Sequence, residues 1–114
     1  MSSTYVEAIM TCDSEWIGRR GGIIELMGKN SYRFQTELKD NDGVESRWTV
    51  YIAIYDIKSE KEYYTRLRFL MNDDIVPWKN VKKGNKILIY DGMYIVGSLE
   101  VISGLKTGEF YEGC

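Results

Sequence analysis

Residues Val81–Ile102 read VKKGNKILIYDGMYIVGSLEVI, and this stretch decides the fold class. Two apolar runs, Lys86–Tyr90 (KILIY) and Tyr94–Gly97 (YIVG), flank the pair Asp91-Gly92. An Asp-Gly pair between β-branched and aromatic residues signals a hairpin, because glycine takes positive φ without a Cβ clash. Lys83-Gly84-Asn85 supplies a turn ahead of the first run, and Gly97 within the second predicts a bulge or a close backbone approach. The stretch is expected to form the closing hairpin of a small β-barrel.

Outward from this hairpin, the rest of the chain repeats the period of two that strands require. Tyr5–Cys12 places Val6, Ala8, Met10 and Cys12 on one wholly apolar face. Tyr32–Leu38 places Tyr32, Phe34, Thr36 and Leu38 together, and Asp42-Gly43 marks the polar turn that follows. Arg47–Tyr55 is ambiguous, since Trp48, Val50, Ile52 and Ile54 form one face and Thr49, Tyr51, Ala53 and Tyr55 the other. In Tyr64–Met71, Arg66 and Arg68 face away from Leu67 and Phe69. Ile57–Tyr63 could hold a helical turn, but its charge fits a solvated loop better. Ile23–Met27 is a short strand or turn, and Pro77 lies in a connection where a missing N–H does no harm. The expected inward positions are Val6, Ala8, Met10, Val50, Ile52, Ile54, Leu67, Phe69, Ile87, Ile89 and Val96. The fold class is all-β: one small antiparallel closed barrel over residues 1–102, with 103–114 a weakly patterned C-terminal tail, partly ordered at most.

Composition narrows the chemistry. The chain has 114 residues, enough for one core without disulfide staples. It has no signal-peptide pattern at its start and no apolar run long enough to span a bilayer, so a cytoplasmic protein with no membrane partner is expected. Cys12 and Cys114 read as two thiols in a reducing compartment rather than as a bridge. Histidine is absent, which removes the usual general base and the commonest neutral metal ligand. Neither Asp73-Asp74 nor the carboxylates of 39–45 have calcium-loop spacing. No catalytic residue, metal or cofactor is expected, and the chain is read as non-enzymatic. A net charge of −2 speaks against binding nucleic acid by bulk charge, although a local basic face is compatible with it.

The order of the motifs resembles a known family. From about Val6 to Ile102 the chain is similar to the third, C-terminal β-barrel domain of elongation factor Tu and its eukaryotic counterpart, elongation factor 1-alpha. Val6-Glu7-Ala8 opens like that domain's first strand, and Gly18-Arg19-Arg20 stands where the family has Gly-Arg-His. Tyr32-Arg33-Phe34-Gln35 is similar to its Tyr-Arg-Pro-Gln. Lys83-Gly84, the apolar strand, Asp91-Gly92 and Ile95-Val96-Gly97 follow the family's closing succession. The resemblance implies a closed barrel of about six strands that helps to grip aminoacyl-tRNA, with tRNA-facing positions near Arg19, Arg20 and Gly92. A family lysine before the last hairpin has no aligned match; Pro77 falls near its place, with Lys79, Lys82, Lys83 and Lys86 close by. No GTP binding is implied, because the nucleotide-binding domain and its phosphate-binding Gly-x-x-x-x-Gly-Lys-Ser/Thr motif are missing from this chain.

Two function classes stand side by side. The first is a protein-binding module, an accessory or immunity/antitoxin-type protein, using the Tyr and Trp side chains that dominate binding hot spots. The second is an RNA-binding module that takes tRNA at Arg19, Arg20, Tyr32, Arg33 and Gly92, with the lysines Lys79, Lys82 and Lys83. A solvated doublet accounts for Arg19 and Arg20 at least as well, and the turn alone accounts for Gly92. Acidity of the whole chain favours the protein partner and the resemblance favours RNA; the protein-binding reading is placed first, with tRNA binding as the alternative.

Overall fold

The computed structural model describes residues 2–12, 15–16, 32–71 and 74–109. Seven strands follow in chain order: β1 Ser2–Cys12, β2 Tyr32–Lys39, β3 Glu45–Ile57, β4 Glu62–Phe69, β5 Lys86–Asp91, β6 Tyr94–Val101 and β7 Lys106–Glu109. They form one sheet in the order β4-β3-β2-β5-β6-β1-β7, and β1 also pairs with β4, which closes six of the strands into an antiparallel barrel. Closure leaves those six no open edge. The expected strand at Ile23–Met27 and the doublet Arg19-Arg20 lie outside the described residues.

The alternation in the sequence is the alternation in the fold. All eleven expected inward positions are buried, with Val6, Ala8, Met10, Val50, Ile52, Leu67 and Ile89 fully so. On β3 the ambiguity resolves with Trp48, Val50, Ile52 and Ile54 inward. The reason lies in volume and polarity: four large apolar side chains lose more apolar area inside than a face carrying Thr49 and two tyrosines. Among the described residues, two threonine hydroxyls share the core, and each donates to a main-chain carbonyl: Thr36 Oγ1 to Leu88 O and Thr65 Oγ1 to Ala8 O, both at 2.8 Å. That pairing removes the desolvation penalty that lone buried hydroxyls would carry.

The hairpin at the centre of the sequence pattern is present one residue along from its expected place. Asp91 pairs with Tyr94, so the two loop residues are Gly92 and Met93 rather than Asp91 and Gly92. Gly92 has φ +66°, and no residue other than glycine among those described has positive φ. Glycine at the first loop position with a negative φ after it is the II′ pattern, which suits the strands' right-handed twist. Gly97 meets both of its expectations. The β5–β6 register shifts between Ile89 and Tyr90, opposite Gly97 and Ile95. A Cβ on Gly97 would overlap the Thr11 carbonyl oxygen of β1.

Two connections are shorter than expected. β3 runs on to Ile57 and β4 begins at Glu62, so the charged segment between them is a tight solvated loop with no helical turn. Part of the expected tail is a strand: β7 pairs Lys106 with Tyr5, where β6 pairs Val101 with Ala8. Four residues, Ile102–Leu105, therefore answer two of β1, Val6 and Glu7, and form a bulge on the same edge. There Ile102 N–H donates to Glu7 O, and Glu7 N–H donates to Ser103 Oγ, each at 2.9 Å. Among the described residues no helix is long and apolar enough to cross a membrane.

Candidate functional site: a tyrosine and arginine face on the barrel wall

The outward residues of β1, β4 and β3 build a second, outer layer over the barrel wall. Strand register creates it. Arg66 stands between Glu7 of β1 and Ala53 of β3, and Arg68 is the cross-strand partner of Tyr51. The Arg68 guanidinium carbon lies 4.3 Å from the Tyr51 ring centroid. Arg66 lies between two rings, 5.1 Å from Tyr5 and 5.3 Å from Tyr55. A bulge in β3 sets Tyr55 and Asp56 together opposite Tyr64, and the Tyr55 and Tyr64 rings stack at 6.3 Å. Beneath them Tyr5 and Ala53 are buried, while Tyr51, Tyr55, Tyr64, Arg66 and Arg68 are half-buried. Each guanidinium on a ring face contributes about 0.5–1 kcal/mol at such exposure and holds the long side chain in place.

Glu7 ties this face to β7. Lys106 Nζ lies 2.7 Å from Glu7 Oε1, and Tyr55 Oη donates to Glu7 Oε2 at 3.1 Å. The Lys106 hydrogen bond is the chief cause that holds the Glu7 carboxyl below its ordinary value, with the Tyr55 hydroxyl and the Lys106 and Arg66 charges adding to it against the effect of burial. The same contact raises Lys106.

Of the residues singled out from the sequence, three come together at one end of β2. Arg33 and Gly92 line one groove of about 410 Å³ with Gln35, Thr49, Tyr90 and Asp91. Tyr32 stands next to it, but as packing: its ring meets Trp16 and Phe34, each at 6.4 Å between centroids. Trp16 in turn donates Nε1–H to Asp91 Oδ2 at 3.2 Å, pinning the hairpin. The Gly92 carbonyl is already engaged, accepting Arg47 Nη1–H at 2.8 Å. Arg47 also bonds Gln35 Oε1 at 2.8 Å and lies 4.6 Å from the Tyr90 ring centroid.

Lys79, Lys82 and Lys83 are exposed at the opposite end of β2. Asn80 donates to Lys39 O at 2.7 Å, and Lys79 Nζ lies 3.3 Å from Asn41 O, which fixes the turn Trp78–Asn80 beside the β2–β3 loop. The structure therefore brings Arg33 and Gly92 together and leaves the lysines apart from them. Trp16 and Trp48 are buried and Trp78 is half-buried, so the tryptophans serve packing rather than an open patch. Among the described residues no cluster of three or more metal-ligating side chains occurs.

Arg47, Arg66, Arg68 and the four tyrosines of the outer face went unmarked as sites in the sequence. Their signal was there, in the outward positions of two alternating strands, but only the register of β3 on β4 joins them. Comparison with protein-family models, with curated proteins and with solved structures finds no match to this chain.

Proposed function

We propose that this chain is a non-catalytic protein-binding module that presents the tyrosine and arginine face of β1, β4 and β3 to a partner. The observation that carries it is the Tyr5/Arg66/Tyr55 sandwich beside the Tyr51/Arg68 pair. Tyrosine and arginine are the residues most enriched in binding hot spots. Here they are held in place before any partner arrives, which lowers the ordering entropy that association costs. An accessory or immunity-type role suits a small barrel of this kind. Relationship to the elongation factor Tu barrel belongs to the proposal, supported by the shared motif order and by closure of the barrel. A cytoplasmic setting belongs to it too, supported by the low cysteine content.

The tRNA-binding alternative draws support from Arg33 and Gly92 sharing a groove. The placement of the other described cations supports it less, because Lys79, Lys82 and Lys83 lie at the far end of β2. Capture from lysate on immobilised protein, with and without RNase, tests the choice. Recovery of a protein that survives RNase and is lost in Tyr51→Ala/Arg68→Ala supports the proposal; recovery that vanishes on digestion overturns it.

A further inference from the structure

The outer face continues past Arg68 to Leu70, the next outward residue after β4, and there it opens into a groove of about 440 Å³. Its walls include Leu70, Met71 and Ile75, which are 52%, 46% and 45% exposed, and Trp48 is part of its lining. The lips are tied before any ligand binds. Asn41 donates to Ile75 O at 3.2 Å, joining the β2–β3 loop to the connection after β4. That loop is itself held by Asp40 Oδ1, which accepts the N–H groups of Asp42 and Val44 at 2.9 and 3.0 Å.

Charge at the rim is unequal. Asp40 is spent on the loop, Arg47 on Gln35, Glu37 and the Gly92 carbonyl. Lys79 sits against the Asn41 carbonyl. Asp42 lines the groove and Asp74 precedes Ile75, both exposed, and neither carboxylate meets a cation among the described residues. A concavity lined by three large half-exposed apolar side chains and the Asp42 carboxylate, with Asp74 adjoining Ile75 in the chain, is matched by an apolar side chain flanked by basic ones. Methionine lets one wall adapt to the shape of that side chain.

We infer that this groove receives a short segment of a protein partner, an apolar anchor flanked by lysine or arginine. The inference rests on the protein-binding reading and names the chemistry of its partner. Three labelled twelve-residue peptides test it by fluorescence anisotropy on the whole chain. One has a Leu-Phe-Leu core with lysine flanks, one the same core with glutamate flanks, and one a serine core with lysine flanks.

The expected result is binding of the first peptide, about tenfold or more above the other two. Met71→Asp and Leu70→Asp should abolish that preference, and Asp42→Lys/Asp74→Lys should turn it toward the glutamate peptide. Both residues at each site are exposed, so the fold should survive. Equal binding of both Leu-Phe-Leu peptides overturns the basic-segment inference and leaves protein binding standing. Equal binding of the serine-core peptide overturns the role of the groove. Should none bind while RNase-resistant capture through Tyr51 and Arg68 persists, the groove inference falls and the face survives. A wild-type dimer in sedimentation that Leu70→Asp dissociates makes a second copy the occupant, and also overturns it.

Discussion

The Arg68 guanidinium lies on the Tyr51 ring at 4.3 Å, and the two residues are direct partners across β3 and β4. Both stand outside the barrel, so their contact adds little to the core. Tyr51→Ala/Arg68→Ala is expected to cost roughly 1–3 kcal/mol of stability, from the lost cation–π contact and the packing of Tyr51 on the buried Tyr5 and Ala53. The same pair is expected to abolish partner capture. An unfolding free energy lowered well beyond that range would show that the face is a structural layer instead.

Two glycines of the closing hairpin should respond differently. Gly92 has positive φ with open space around its Cβ position, so Gly92→Val acts through backbone strain alone and should cost roughly 1–3 kcal/mol. Gly97→Ala drives a methyl into the Thr11 carbonyl, and β1 must move to admit it. Chemical denaturation should rank Gly97→Ala as the more damaging change; the reverse order would contradict the close approach of β6 to β1.

Glu7 gives the stability a pH dependence of known sign. Its carboxyl is lowered in the folded state, chiefly by Lys106. Between the folded and unfolded values the unfolded chain binds more protons, so stability rises with pH there. The contribution is complete above the ordinary value near 4.5 and is lost as pH falls through the lowered one. Asp40, lowered first by the Val44 N–H, acts with the same sign in a window that starts lower, below its ordinary value of 3.8. Glu7→Gln should flatten the acid limb of a stability–pH profile and raise amide exchange in Lys106–Glu109, because Glu7 ties β7 to the wall. An unchanged limb would mean that the Lys106 pair contributes nothing.

Much of the barrel was legible because a buried face must repeat every second residue, and Val6-x-Ala8-x-Met10 can repeat so in no other structure. The positive φ of Gly92 was legible for the same local reason. Its loop position was not: whether Asp91 or Met93 completes the turn depends on the bulge at Gly97, which β1 dictates from eighty-odd residues away in the chain. Strand β7 was missed because Lys106-Thr107-Gly108-Glu109 has no apolar face to alternate; it is held by pairing to β1 and by the Glu7 bond. The Tyr and Arg face was half visible. Its outward residues could be picked out one strand at a time, but a site needs the register that sets Tyr51 against Arg68, and register is a long-range property.

The spacing of the cations bears on the RNA alternative. Arg33 and Lys39 stand near opposite ends of β2, and six residues of strand at about 3.3 Å each put the two groups roughly 20 Å apart. That is about two and a half times the Debye length at physiological ionic strength, close to 8 Å. Arg33 at the hairpin end and Lys79, Lys82 and Lys83 at the other therefore act on phosphates as separate weak groups, not as one field. In a chain of net charge −2, separate groups neutralise few phosphates and so release few of the counterions condensed on the RNA. Titration of labelled tRNA at two salt concentrations is expected to show no specific binding at the higher one. Any binding at the lower one should have a shallow slope that Lys79→Ala/Lys82→Ala/Lys83→Ala leaves within one phosphate contact, about 0.9 in log–log units. Specific binding at the higher salt, lost in Arg19→Ala/Arg20→Ala, would move the function to tRNA and the site to that arginine doublet.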